Sequence, residues 1–359
     1  MSAEAAVRAA FLAGSLLSVA GAPVGAGEEP PIVKPPPLRK GGTVGLVAPA
    51  SPLNDSLTRA AVQNLEKRGY RVKVSPESRG KRGYLAGTDE ARGSALNALI
   101  ADPTVDAIFC LRGGYGSPRL LDRIDYEAFR AHPKILVGYS DITGLLLAVH
   151  RRSRVVVFHG PMGKEWSVGR GLSPWSEKYF WPALSADSPL FEDWGGERAP
   201  GMKAPTTVVP GIAEGVLVGG NLSVLCSAVG TPYEIDASDS VLFIEEVSEK
   251  NFRIDRLLNQ LRLAGILGRA KGILLGGFTG CDVRDPEGDI PLAEVFEDYF
   301  RPLGVPVLAD YPAGHLPDQA VLPLGIRVRL DAGAKKLTLL EPPVSREAPG
   351  GGTGPGDAR

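Results

Sequence analysis

Two short stretches of the chain combine residue types that suit acyl-transfer chemistry, and each lies where an apolar run gives way to a turn. In Gly138-Tyr139-Ser140-Asp141-Ile142 an apolar strand ends and an apolar helix begins. A sharp turn there lifts the Ser140 hydroxyl above a sheet, at a helix N-terminus whose free N–H groups favour a developing oxyanion, and the N–H of Asp141 is the natural donor. The fit to a GxSxG elbow is incomplete because Ile142 stands where the second glycine belongs. An ordinary helix N-cap at Ser140 or Asp141 explains the same residues. Arg112-Gly113-Gly114-Tyr115-Gly116 follows the apolar run 107–111, at the carboxyl edge where open α/β sheets bind ligands. The N–H of Gly113 or Gly114 offers a second oxyanion donor, and Arg112 or Arg119 a receptor for a substrate carboxylate. A plain tight turn accounts for the glycines equally well, and the spacing matches no phosphate loop.

A base for the hydroxyl must come from four histidines: His132, His150, His159 and His315. His150 ends a helix and His132 precedes Pro133 in a loop, so both have structural explanations. His159, before Gly160-Pro161, and His315, in the turn Ala313-Gly314-His315, each stay open between a base and a hydrogen-bonded structural residue. Glu245 and Glu246 end the apolar strand 240–244, and alternation along a strand sends one inward and one to solvent. Glu246 reads as the solvated charge; Glu245 is open between that and a carboxylate that orients a histidine.

Other chemistries lack material. Cys110, Cys226 and Cys281 are far apart, with no CxxC pair and no disulfide framework, and no HExxH occurs, so neither a metal nor another cofactor is expected. Forty Lys and Arg against 41 Asp and Glu give a net charge of −1, which argues against a nucleic-acid partner.

Positioning such residues takes about two domains in 359 residues, at roughly 150 per domain. Residues 1–26 read as a secretory leader: Arg8, the apolar stretch 9–20, then Val24-Gly25-Ala26. The stretch is too short to span a bilayer comfortably, so no stable membrane insertion is expected once it is removed. Residues 27–40, with five prolines, read as a stiff linker outside the core. From 41 to 162, apolar strands at 43–50, 70–74, 107–111, 135–139 and 155–158 alternate with helical patterns, predicting a parallel-sheet α/β domain with flanking helices. Residues 163–210 show no clear period and read as an irregular connection. Residues 211–342 carry strands at 215–218, 241–247, 272–276 and 305–309, helices at 222–229, 252–264 and 291–301, and a strictly alternating strand at 326–330. They predict a mixed α/β domain with a partly antiparallel sheet. The Gly/Pro-rich tail 343–359 is expected to be disordered.

RGGYGSPRLL, GYSDITGLLLAV, FHGPM, GVLVGGNL, LFIEEVSEKNFRIDRLLNQL and AGHLPDQAVLPLG occur in this order over residues 40–340, and together they resemble the serine LD-carboxypeptidases, or muramoyl-tetrapeptide carboxypeptidases, a family that includes the microcin C self-immunity peptidases. The resemblance implies a Ser140 nucleophile, a His315 base and a Glu245 orienter, divided between an N-terminal and a C-terminal domain. It implies backbone oxyanion donors at Asp141 and the Gly113-Gly114 turn. The implied substrate is a peptidoglycan tetrapeptide cleaved between meso-diaminopimelate and the terminal D-alanine. Arg112 and Asn221 stand as candidate substrate contacts, and a homodimer is compatible with the resemblance. The leader departs from the usual cytoplasmic setting of peptidoglycan-recycling members and directs this chain to the periplasm or cell envelope. Two other readings remain at this level: a peptidase that detoxifies a peptide-nucleotide antibiotic, and an exported two-domain ligand-binding protein. The last gives Ser140, Glu245 and His315 no joint role, so convergence of their side chains discriminates it.

Overall fold

The computed structural model describes residues 30–169, 171–185, 193–194, 198–282 and 288–346; the leader 1–26 lies outside them, as does the tail from residue 347. Thirteen strands are present among the described residues: β1 (Thr43–Val47), β2 (Arg71–Val74), β3 (Ala107–Cys110), β4 (Ile135–Gly138), β5 (Val157–His159), β6 (Thr206–Val209), β7 (Ile212–Asn221), β8 (Ser240–Val247), β9 (Gly272–Thr279), β10 (Val307–Ala309), β11 (Leu322–Leu324), β12 (Arg327–Asp331) and β13 (Lys336–Leu339). They form two sheets, in the orders β11-β5-β4-β3-β1-β2 and β13-β12-β7-β8-β9-β10-β6. In the first, β1 to β5 are parallel; β1, β3, β4 and β5 are buried throughout, as strands covered on both faces are, whereas the edge strand β2 alternates charged and apolar residues. In the second, β7, β8, β9 and β10 are parallel, while at the margins β6 pairs antiparallel with β10, β12 with β7 and β13 with β12.

Two of the helices between the parallel strands of the first sheet begin at side-chain caps. Asn54 accepts from the N–H of Leu57 at the start of Asp55–Glu66, and Thr88 from the N–H of Ala91 at the start of Asp89–Ala101. Strand β8 lies between two apolar clusters: Val241 and Phe243 join the cluster that also holds β1, β3 and β4, whereas Leu242 and Ile244 face the helix Asn251–Leu263. The two-residue alternation therefore aims Glu245 toward the first sheet and Glu246 away from it.

The structure departs from the sequence reading in several places. β11, from the C-terminal part of the chain, pairs antiparallel with β5 and closes the edge of the first sheet. The proline-rich segment is not a free linker: Pro35, Pro37 and Leu38 are buried, Val33 bridges Val155, and Lys34 pairs with Glu341 at 2.6 Å. The start of the expected tail is held too, with Val344 buried and the N–H of Ser345 donating to the carbonyl of Pro35 at 2.9 Å. Within the supposed irregular connection, Pro174–Leu184 is a helix with Ser173 as its cap, burying Trp175, Tyr179, Phe180, Ala183 and Leu184.

Candidate active site

Gly138 ends β4, and its missing side chain leaves room for Ile142, whose Cγ2 would lie 2.5 Å from a Cβ there. This close approach folds the chain into the 3-10 turn Ser140–Ile142, followed by the helix Thr143–Ser153. Ser140 has φ 63, in the left-handed region that a residue with a Cβ enters only at a cost. The N-cap reading of Ser140 and Asp141 does not hold. Tyr139 occupies the cap position of the 3-10 turn, and the buried Asp141 carboxylate accepts instead from the N–H groups of Gly116 and Ser117, at 3.2 and 2.7 Å. Burial pushes the Asp141 carboxyl up, and those N–H donors oppose the rise only in part.

The glycine turn is thus tied to the serine turn. A Cβ on Gly113 would stand 2.9 Å from Ser140 Cβ, 3.1 Å from Ser140 Oγ and 3.2 Å from the Asp141 nitrogen, so glycine keeps open the space over the hydroxyl. Gly114 has φ 104, and a Cβ there would collide with Ser51, whose N–H donates to the carbonyl of Gly113. Buried Arg92 braces the same turn by donating to the Gly116 carbonyl at 2.8 Å and to that of Pro49. Arg119 is engaged by Asp89, whereas half-buried Arg112 reaches the Pro52 carbonyl at 3.5 Å and pairs with no carboxylate among the described residues.

The second sheet supplies the rest. His315 lies in a loop docked on β9, where the N–H of Gly277 donates to the Ala313 carbonyl and the Thr279 hydroxyl to the His315 carbonyl, at 2.9 and 2.6 Å. Gly314, at φ 102, lies so close to Glu245 that a Cβ would come 2.7 Å from its Oε2. Glu245 is fully buried; its Oε2 accepts from His315 Nδ1 at 2.7 Å and from the His315 N–H at 3.2 Å. His315 Nε2 lies 2.9 Å from Ser140 Oγ. Burial alone would raise the Glu245 carboxyl, but the imidazoles of His159 and His315 outweigh that and hold it well below the usual carboxylate range.

Of the two histidines left open, His315 meets the hydroxyl, and His159 lies behind Glu245, its Nε2 3.9 Å from Oε1. Glu246 is not solvated. It is 3% exposed and accepts from Asn221 Nδ2, the Ser223 N–H and hydroxyl, and the Val247 N–H, at 2.9, 2.9, 2.6 and 2.8 Å. The same contacts redefine Asn221, whose amide N–H holds Glu246 and whose side-chain oxygen caps the helix Leu222–Ser227, leaving it a joint rather than an open binding group. Its backbone N–H also donates to Thr143 Oγ1 at 3.0 Å, and Gly220 packs on the same threonine. This seam fixes Ser140 against the second sheet.

Comparison with known proteins identifies the family. Residues 44–160 match the LD-carboxypeptidase N-terminal domain, and residues 214–330 the LD-carboxypeptidase C-terminal domain. The probable murein peptide carboxypeptidase of Bacillus subtilis is 40% identical over 316 residues, covering 88% of this chain and 96% of that protein. The murein tetrapeptide carboxypeptidase of Pseudomonas aeruginosa is 33% identical over 302 residues, covering 79% and 91%. The fold is that of MccF in complex with glutamyl sulfamoyl guanosine, with a TM-score of 0.76 at 23% identity over 87% of this chain and 100% of that one. The chain belongs to the LD-carboxypeptidase family and is a serine-type hydrolase of that family.

Proposed function

We propose that the protein releases terminal D-alanine from peptidoglycan tetrapeptides through an acyl-enzyme on Ser140. The observation that carries this reading is the continuous line from Ser140 Oγ through His315, at 2.9 Å, to Glu245, at 2.7 Å. With Nδ1–H donated to Glu245, Nε2 is left with its lone pair toward the hydroxyl, the tautomer that a general base needs. Ser140 Oγ attacks the carbonyl of the residue before D-alanine while its proton passes to His315 Nε2; the carbonyl oxygen becomes an oxyanion and a C–O bond forms. Collapse breaks the C–N bond, and His315 returns the proton to the departing amine of D-alanine. Water, deprotonated by the same imidazole, then cleaves the ester and restores Ser140.

The oxyanion is received by the N–H of Asp141 and an N–H of the Gly113-Gly114 turn, which flank the opening over Ser140; each such donor is worth about 3 to 4 kcal/mol. Arg112, on the same turn and without an acidic partner among the described residues, is the cation we assign to the terminal carboxylate of the leaving residue. The names of the Bacillus and Pseudomonas relatives support a murein peptide as substrate. The leader read at residues 1–26 supports export to the cell envelope, which cell fractionation of the full chain tests.

Purified protein given muramyl tetrapeptide should lose one alanine by mass, and Ser140→Ala should bind the peptide without cleaving it. Equal alanine release by that variant contradicts the nucleophile assignment.

A further inference from the structure

The carboxylate that orients His315 has a second imidazole at its back, which the reaction above does not use. His159 ends β5, paired with Gly138 at the end of β4, so the strand ends that carry His159 and the Ser140 turn are neighbours. Its side chain is fully buried, with the ring packed against Phe243 at 4.9 Å and Tyr139 at 5.9 Å between centroids. Glu245 Oε2 is committed to His315, while Oε1 faces His159 Nε2 at 3.9 Å. Neither ring nitrogen of His159 nor Oε1 of Glu245 has a hydrogen-bond partner among the described residues.

Two sealed polar groups without partners are costly, and these two confront each other. A movement of about 1 Å brings Nε2 and Oε1 into hydrogen-bond range. The ionisable groups around His159 are Glu245 from β8, Tyr139 from the turn after β4 and, across Glu245, His315. Glu245 is the acceptor among them, because the Tyr139 hydroxyl donates to Glu165 at 2.8 Å.

We infer that His159 is a positioning residue for the hydrolysis: an N–H on Nε2 engages Oε1 of Glu245, so that the carboxylate is clamped between two imidazoles and cannot turn away from His315. This rests on the Ser140-His315-Glu245 reading. It explains how a carboxylate with no exposed surface stays ionised and fixed while His315 gains and loses a proton. Without His159, Glu245 and His315 take up their first shared proton more readily, and the active form, with His315 neutral, is confined to higher pH.

The test compares pH profiles of tetrapeptide hydrolysis for the wild type, His159→Leu and His159→Gln, whose amide N–H reaches the same region. His159→Leu should lower kcat about tenfold or more with KM within about twofold, and raise the acidic limb of kcat/KM by about one pH unit. His159→Gln should restore most of both. A loss of rate with an unmoved limb and no rescue by glutamine shows a packing role and overturns the inference, as does a His159→Leu profile superimposable on wild type. A second measurement needs neither a His159 variant nor substrate. In 15N-histidine-labelled protein, Glu245→Gln should shift the imidazole resonances of both His315 and His159, and His159 resonances indifferent to that change overturn the clamp. Alanine release by Ser140→Ala would instead contradict the relay itself, a result distinct from either of these.

Discussion

The two sheets contribute to one site by different physical means. On the first, the chemistry is prepared by backbone: Gly138 admits Ile142, Ser140 takes a left-handed conformation, and Gly113 keeps the space over the hydroxyl clear. On the second it is prepared by buried charge, with Glu245 sealed among apolar residues and held by imidazoles. The carboxylates show the contrast. Asp141, which ties the serine turn to the glycine turn, is pushed up by burial, whereas Glu245 is pulled down by its histidines. A strained turn fixes where a nucleophile stands, and a buried carboxylate fixes which nitrogen of an imidazole carries its proton; neither sheet provides both.

The sharpest way to break the comparison is to remove one contribution and leave the fold. Ser140→Ala should lower kcat by about 10⁴-fold or more with little loss of stability, as measured by alanine release beside thermal unfolding. Glu245→Gln should cost about 10³- to 10⁴-fold in kcat, because the amide favours the wrong imidazole tautomer. Its neighbour Glu246→Gln should act on folding instead, lowering unfolding free energy by about 1 to 3 kcal/mol in denaturant titration while kcat stays near wild type, since its partners are neutral structural donors.

Smaller effects sharpen the same contrast. Ser140→Gly, which relieves the positive φ, should stabilise the fold by about 1 kcal/mol while abolishing activity, read as a higher Tm in an inert protein. In pH titrations of unfolding, Glu245 has a folded pKa below its unfolded one. Its stabilising contribution is therefore full above about pH 4.3, the ordinary glutamate value, and is lost as pH falls through the folded value of about 2. Glu245→Gln should flatten the acid limb of stability across that window. Carbonyl-carbon NMR should find Asp141 titrating above the ordinary aspartate range in the same protein.

Much of this was legible in the residues. The apolar runs that became β1, β3 and β4, the strand end before Ser140 and the apolar start of β8 follow from periodicity, because a strand buried on both faces must be apolar throughout. Six ordered motifs then singled out His315 where isolated spacing left it level with His159. The parts missed depend on distant chain. Glu246 looks like a surface charge until Asn221 and Ser223, some 25 residues away, surround it. Nothing in Leu322–Leu324 announces that it crosses to the first sheet. The helix Pro174–Leu184 did carry a signal, since Trp175, Tyr179, Phe180, Ala183 and Leu184 recur at helical spacing, but Pro182 and the surrounding glycines and prolines obscured it.

The central claim is that one hydroxyl of the first sheet is activated by the imidazole and carboxylate of the second. Labelling with a fluorophosphonate tests it most directly, since the reagent records serine activation without requiring the natural substrate. Peptide mapping should place a single adduct on Ser140, formed orders of magnitude more slowly in His315→Ala and Glu245→Gln. An adduct on another serine, or labelling of Ser140 at an undiminished rate in those variants, would contradict the account.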